Sequence, residues 1–329
     1  MKNSSEYELK RGFNMFGKKK QIPVYIFTGF LESGKTLFIS ETLNEDQFKD
    51  GDSSLYILCE EGVEEIPKQK LDDNKFVPAV IENEEDVSFD TFTKLDLEHD
   101  PDRVLIEYNG TWDPDRVIEA LPKHWILAEG ICTIDATTYP DYLANMKQMM
   151  TRQFTYADLV VFNRCELDQD LPMFKRTVRA LNRRAQVVFE MKDGTINNDV
   201  KEELPYDINA DVINVEDDDF GIWYIDVFDN LDTYNGKTVR FKGIVYKPKK
   251  SKDDVFVPGR FAMTCCAADI QFVGFPCKWK DAKLLKEKTA VYVTAHIGAA
   301  DTPQGKAPVL YGDAVEITDP PEEEVVYFQ

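Results

Sequence analysis

Between residues 22 and 213, short β-branched and apolar runs alternate with longer stretches in which apolar positions recur every three or four residues. The runs PVYIFTG, SSLYILCE, RVLIEYNG, AEGICTIDA, ADLVVFNR and AQVVFE predict strands, and Lys35 to Asn44, Asp115 to Ala120, Tyr139 to Gln153 and Asp170 to Leu181 predict helices. Strands this apolar are buried on both faces, and their alternation with helices gives a parallel sheet joined by right-handed crossovers. The expected fold class is α/β, a doubly wound and mostly parallel sheet.

After the acidic stretch NVEDDDFG the texture changes. WYIDVFD, KTVRFKGIVYK, RFAMTCCAAD, TAVYVTAHIG and APVLYGDAVEITD read as strands divided by Gly, Pro, Asn and Asp turns. A small closed barrel of about five strands, of OB type, is the simplest all-β arrangement for that many residues. The boundary falls between residues 205 and 218. The expected organisation is a tail over 1–20, a nucleotide-binding α/β domain over 21–213 and an OB-like β domain over 214–329. The acidic end PPEEEVVYFQ is expected to be poorly ordered or loosely docked.

Composition narrows the function classes. A chain of 329 residues exceeds the usual size of one domain. Sixty acidic side chains against 39 basic ones give a net charge of −21, which repels nucleic-acid phosphates and anionic membranes, so no nucleic-acid partner is expected. The basic clusters, Lys18 to Lys20, Arg183-Arg184 and KPKKSK, are short and read as solvated loops or tail. No apolar run approaches the ~20 residues of a membrane helix, so no direct membrane insertion is expected. The polar, basic start lacks the features of a secretory signal, and six cysteines do not resemble a disulfide framework. Both point to a cytoplasmic protein with reduced thiols.

The sharpest signal is IFTGFLESGKT. Gly29-x-x-x-x-Gly34-Lys35-Thr36 follows a predicted strand and opens a predicted helix, the context of a phosphate-binding loop. In such a loop backbone N–H groups, including those around Ser33, face phosphate. Lys35 meets the β and γ oxygens and Thr36 holds Mg²⁺. Glu32 is the awkward member: its carboxylate repels a triphosphate and its side chain restricts the backbone, so weaker or faster-exchanging nucleotide is expected.

Further along, LIEYNG carries Glu107 and Gly110 at the spacing of a D-x-x-G element, which works beside Mg²⁺ and γ-phosphate. Asn163-Arg164-Cys165-Glu166 stands where an N-K-x-D guanine reader sits. Taken singly, Glu107 also reads as a strand-end carboxylate and Asn163 as a turn former; Asp135 reads as a helix cap or loop anchor. His99 and His124 read as surface histidines, and Cys59 and Cys132 as core residues.

The order TGFLESGKT, CEEG, LIEYNGTWDP, ICTIDA, RQFTYADLVVFNRCEL resembles the CobW family of P-loop GTPases, relatives of the nickel-insertion GTPases of urease and hydrogenase. The resemblance covers about residues 22 to 190. It implies a GTP-binding domain with Gly29, Gly34, Lys35 and Thr36 on phosphate and Mg²⁺, and Glu60 as a switch-region carboxylate. Glu107 would serve Mg²⁺, and Gly110 would offer its N–H to γ-phosphate. Asn163, Arg164 and Glu166 would read the guanine. Arg164 and Glu166 replace Lys and Asp, which weakens the assurance of GTP over ATP. The family's metal-carrying C-x-C-C is absent, since residues 63 to 104 hold no cysteine.

In the second domain RFAMTCCAADIQFVGFPC brings Cys265, Cys266, Asp269 and Cys277 together in sequence, with His296 further on. Thiolates with a carboxylate or imidazole suit Zn²⁺. Neighbouring side chains on a flat strand point to opposite faces, so a shared ion needs a bulge, and buried cysteines acting as small apolar residues fit equally well. Residues from about Trp223 to Phe328 also resemble the soluble OB-like domain of bacterial permease-associated membrane-complex subunits.

The joint expectation is a slow Mg²⁺-dependent GTPase in metal trafficking or metalloprotein maturation. Its partners would be a nucleotide and either a metalloprotein client or a membrane permease complex. A non-hydrolysing nucleotide-binding regulator or membrane-complex partner is the alternative. A binding module whose OB-like domain holds single-stranded nucleic acid is the weakest reading, set against the net charge of −21. The metal and the oligomeric state stay open.

Overall fold

The computed structural model describes residues 21–44, 52–60, 62, 64–197, 200, 204–249, 251–263, 270–303 and 305–328. The proposed 1–20 tail and the Cys265, Cys266 and Asp269 positions lie outside these residues. The chain folds as two compact units: Met1–Gln169 with Arg184–Asn198, and Asp170–Arg183 with Asp199–Gln329.

The first unit is built on strands β1 (Ile22–Thr28), β2 (Ser54–Leu58), β3 (Phe76–Val80), β4 (Arg103–Glu107), β5 (Trp125–Asp135), β6 (Leu159–Cys165), β7 (Gln186–Met191) and β8 (Ile196–Asn197). They lie in the order β3-β2-β4-β1-β5-β6-β7-β8. Every pairing is parallel except β7 with β8. This is the mostly parallel α/β sheet the apolar runs predict.

All five residues of β4 are buried. Val104 and Ile106 join one apolar cluster with Val24, Ile26 and Ile57, while Leu105 joins another with Phe27, Tyr56 and Ile39. Both faces are therefore covered, as the strand's period of two requires.

The helices of this unit are α1 (Lys35–Thr42), α2 (Lys68–Asp73), α3 (Phe89–His99), α4 (Pro114–Ala120), α5 (Tyr139–Asn145) and α6 (Lys147–Arg152). The single helix expected from Tyr139 to Gln153 is interrupted at Met146, whose φ of −134° leaves the helical region. Neither β3 nor α3 stood out in the sequence. Of α3 only Phe92 and Asp96 are buried, and its start is fixed by the Ser88 hydroxyl, which accepts from Thr91 N at 3.2 Å.

The second unit comprises α7 (Leu171–Leu181), β9 (Val212–Val215), α8 (Phe220–Asp229), α9 (Leu231–Tyr234), β10 (Thr238–Tyr246), β11 (Val255–Ala262), β12 (Gln271–Gly274), β13 (Cys277–Lys278), β14 (Ala290–Thr302), β15 (Gly305–Ile317) and β16 (Val325–Val326). The segment WYIDVFD, expected as a strand, is part of α8. Phe220, Trp223, Tyr224 and Val227 are buried at helical spacing, and the Trp223 ring packs 4.8 Å from Phe241 of β10.

β10 pairs antiparallel with β11 and β14, β14 antiparallel with β15, β15 parallel with β13, and β13 antiparallel with β11, so the pairings return to their start. The chain end is not loose. β16 adds to β11 in parallel, Phe328 is buried, and the Arg260 guanidinium donates to Glu323 O at 2.6 Å and to Asp217 Oδ1 at 3.2 Å. Burial of Val326 and Phe328 outweighs the acidic character of the preceding residues.

Candidate nucleotide site

The loop between β1 and α1 is shaped by three left-handed residues. Gly29 and Gly34 have φ of 125° and 94°, and Glu32 has 63°. A Cβ on Gly29 would lie 2.2 Å from Thr133 O, so glycine is required there by space as well as torsion. Glu32, by contrast, holds a conformation that L residues disfavour, with its side chain in solvent. Ser33 is buried and shares a 2.9 Å hydrogen bond with Thr133 Oγ1.

Lys35 is buried under this loop. Its ammonium donates to Gly29 O at 2.7 Å and to Phe30 O at 3.0 Å, and it is 2.6 Å from the Glu60 carboxylate. Three acceptors thus match its three donors.

β4 lies directly beside β1 in the register Phe27↔Glu107, which delivers Glu107 to the strand ends next to the loop. Thr36 Oγ1 donates to Glu107 Oε1 at 2.7 Å, and the Tyr56 hydroxyl of β2 donates to Glu107 Oε2. Burial and the adjacent Glu107 charge raise the Tyr56 pKa, so it remains a donor. A hydroxyl and a carboxylate beside a phosphate-binding loop are hard oxygen donors of the kind Mg²⁺ takes, so the residues fit that ion. When bound, Mg²⁺ would neutralise phosphate charge.

Two residues after Tyr108 the chain packs flush on the loop: a Cβ on Gly110 would lie 2.2 Å from Gly29 O. The Gln153 side chain, buried, accepts from Gly29 N at 3.3 Å and donates to Gly110 O at 3.0 Å.

At the other end of the site Asn163 Nδ2 donates to Ser33 O at 2.7 Å, while its Oδ1 is buried with no partner among the described residues. Arg164 Nη1 donates to Glu32 O at 3.1 Å and to Asp135 Oδ2 at 2.6 Å. Asp135 Oδ1 takes the N–H and hydroxyl of Thr137, so it is a loop anchor; burial opposes its ionisation, but these donors outweigh that and hold its pKa below the ordinary value. Glu166 is paired with the exposed Lys192 at 2.6 Å.

Leu31, Glu32, Gly34, Lys35, Thr36, Glu60, Glu64, Glu107 and Arg164 are among the residues lining a cavity of about 290 Å³. Four carboxylates against two cations leave it acidic, so a polyphosphate needs a companion cation to enter.

The four described cysteines, Cys59, Cys132, Cys165 and Cys277, are buried. Burial pushes each thiol from 9.0 up to about 12, with Glu107 and Glu60 adding to the rise at Cys59. Cys277 sits in the apolar core of its unit. His296 stacks on Tyr311 and lies 3.4 Å from Asp313. No group of three His, Cys, Asp or Glu residues suited to a metal ion occurs among the described residues.

Tyr56 and Gln153 escape a reading of motifs, because each is one polar group within an otherwise apolar or helical stretch. His124, read as a surface residue, instead bonds at 3.1 Å to the buried Asp96, which also takes the Trp125 indole N–H at 2.9 Å.

A family model described as the CobW/HypB/UreG nucleotide-binding domain matches residues 23–189, and one described as the DUF1980 C-terminal domain matches residues 190–328. The zinc chaperone YjiA of Escherichia coli (strain K12) is 26% identical over 182 residues, covering 50% of this chain and 56% of that protein. The chain thus spans little more than half the length of that curated relative. A zinc-bound triple mutant of the YjiA GTPase is 20% identical, covering 68% of this chain and 73% of that one, with a TM-score of 0.42. The hydrogenase maturation factor HypB of Archaeoglobus fulgidus is 19% identical, covering 52% and 81%, with a TM-score of 0.36.

Proposed function

The chain belongs to the CobW/HypB/UreG family, and from that premise we propose a GTP-binding protein that hydrolyses its nucleotide slowly with Mg²⁺ and serves metal trafficking or metalloprotein maturation. The observation that carries this reading is the Thr36 hydroxyl bonded to Glu107 at 2.7 Å beside a buried Lys35, at the mouth of a glycine-bounded loop. Lys35 would exchange its carbonyl and Glu60 partners for phosphate oxygens. Glu107 and Thr36 would hold Mg²⁺, and Gly110 would face the γ-phosphate. Asn163, Arg164 and Glu166 would receive the guanine. Hydrolysis by an attacking water would then rest on positioning and charge neutralisation.

The metal role is supported by the curated relative, a zinc chaperone. Zinc would be held by Cys265, Cys266 and Asp269, with Cys277 either joining them or staying in the core. The strand pairings that close through β10, β11, β13, β15 and β14 support an OB-type barrel for the second unit. A metalloprotein client or a membrane permease complex would be its partner, reached from the cytoplasm.

The test is Mg²⁺-dependent turnover of GTP and ATP on the full chain, with zinc content measured before and after Cys265→Ser with Cys266→Ser. GTP-selective turnover and loss of zinc in the double variant support the reading. Binding without turnover selects the non-hydrolysing regulator, and stoichiometric zinc in the double variant removes the proposed metal site.

A further inference from the structure

The primary amide of Gln153 is engaged at both ends by backbone. Its Oε1 accepts from Gly29 N at 3.3 Å, its Nε2 donates to Gly110 O at 3.0 Å, and its own carbonyl takes the Thr28 hydroxyl at 3.2 Å. Only 2% of the residue is exposed, so these bonds do not compete with water. The two glycines it joins also touch directly, since a Cβ on Gly110 would fall 2.2 Å from Gly29 O and 2.6 Å from Phe30 Cα. The buried loop after β4 is therefore held by its Gly110 carbonyl, and the Gly110 N–H has no acceptor among the described residues.

We infer that Gln153 is a positioning residue for triphosphate recognition: it fixes Gly110 against the first glycine of the phosphate-binding loop, so that one preset N–H meets a γ-phosphate. This rests on the nucleotide-binding reading above. A donor oriented in advance gains more from a ligand than one that must first be ordered, and that gain is confined to the ligand that reaches it. A diphosphate, lacking the γ group, draws only on the Gly29 side of the clamp.

The amide's two ends can be separated chemically. Gln153→Glu keeps an acceptor for Gly29 N–H and replaces the donor to Gly110 O with a carboxylate oxygen that repels it. Gln153→Met removes both. With Mg²⁺, titration of the full chain with GDP and with the non-hydrolysable β,γ-imido analogue of GTP should find both weakened in Gln153→Glu by the added charge. The analogue-to-GDP affinity ratio should fall by about tenfold further, the size of one lost hydrogen bond. Gln153→Met should weaken both.

An unchanged analogue-to-GDP affinity ratio in Gln153→Glu, including an equal loss for both ligands, overturns the inference and leaves the nucleotide-binding reading intact. Failure of the unaltered protein to bind either nucleotide overturns both. Amide exchange on the unaltered chain gives a second test that needs no variant. The analogue, and not GDP, should slow exchange at Gly110 together with Gly29, and slowing at Gly29 alone overturns the coupling.

Discussion

The Lys35 ammonium and the Glu60 carboxylate lie 2.6 Å apart, with side-chain exposures of 3% and 10%. An ion pair this withdrawn from water is only weakly screened. A phosphate that takes Lys35 must therefore displace Glu60. Glu60→Gln is expected to bind GDP about three- to tenfold more tightly in the absence of Mg²⁺, measured by calorimetric titration. Equal affinities would show that the pair does not compete with phosphate.

Glu32 combines a φ of 63° with a place on the wall of the acidic cavity. Glu32→Gly relieves a left-handed strain of roughly 1–2 kcal/mol, offset in part by the entropy of a new glycine. Thermal unfolding should shift upward by a few degrees and nucleotide should exchange more slowly. A lowered midpoint, or exchange unaffected by the change, would count against the strained-loop account.

Tyr56 occupies one oxygen of Glu107 and Thr36 the other. Tyr56→Phe keeps the ring in its apolar cluster but leaves a buried carboxylate oxygen without its donor, a cost of about 1–3 kcal/mol. Denaturant unfolding should report that loss, and turnover should fall more than GTP affinity. A variant with unaltered stability would mean that the hydroxyl does not support Glu107.

The thiols of Cys59, Cys132, Cys165 and Cys277 rise from 9.0 to about 12 on folding. For a raised acid pKa the folded state holds its proton more tightly than the unfolded chain. The contribution is therefore complete below pH 9 and is lost as pH climbs from 9 toward 12. Each thiol contributes a slope of at most about 1.4 kcal/mol per pH unit in that window. Urea midpoints at pH 8 and pH 10.5 should differ, and Cys132→Ala should shrink the difference.

The phosphate-binding loop was legible because its backbone demands particular residues: Gly29 has no room for a Cβ, and Lys35 must reach under the loop. Buried strands were legible because apolar runs such as Val104-Leu105-Ile106 of β4 fill both faces of the sheet. WYIDVFD was not, since a short apolar run satisfies a strand or an all-buried helix equally, and its fate was set by the surface of β10. The docking of PPEEEVVYFQ was hidden for a related reason: two apolar residues found an edge on β11 that no local pattern announces. Gln153 was hidden because its partners are backbone atoms 124 and 43 positions away.

Asn163 donates at 2.7 Å to Ser33 O, in the same loop that would grip the phosphates. On the proposed reading, one amide therefore touches both halves of a nucleotide's recognition, and the phosphate cradle is tethered to its base reader. Simple phosphate esters and inorganic polyphosphate would engage the cradle without steadying that tether. The site should stay largely clear of such bystanders and respond to the purine-bearing molecule as a whole.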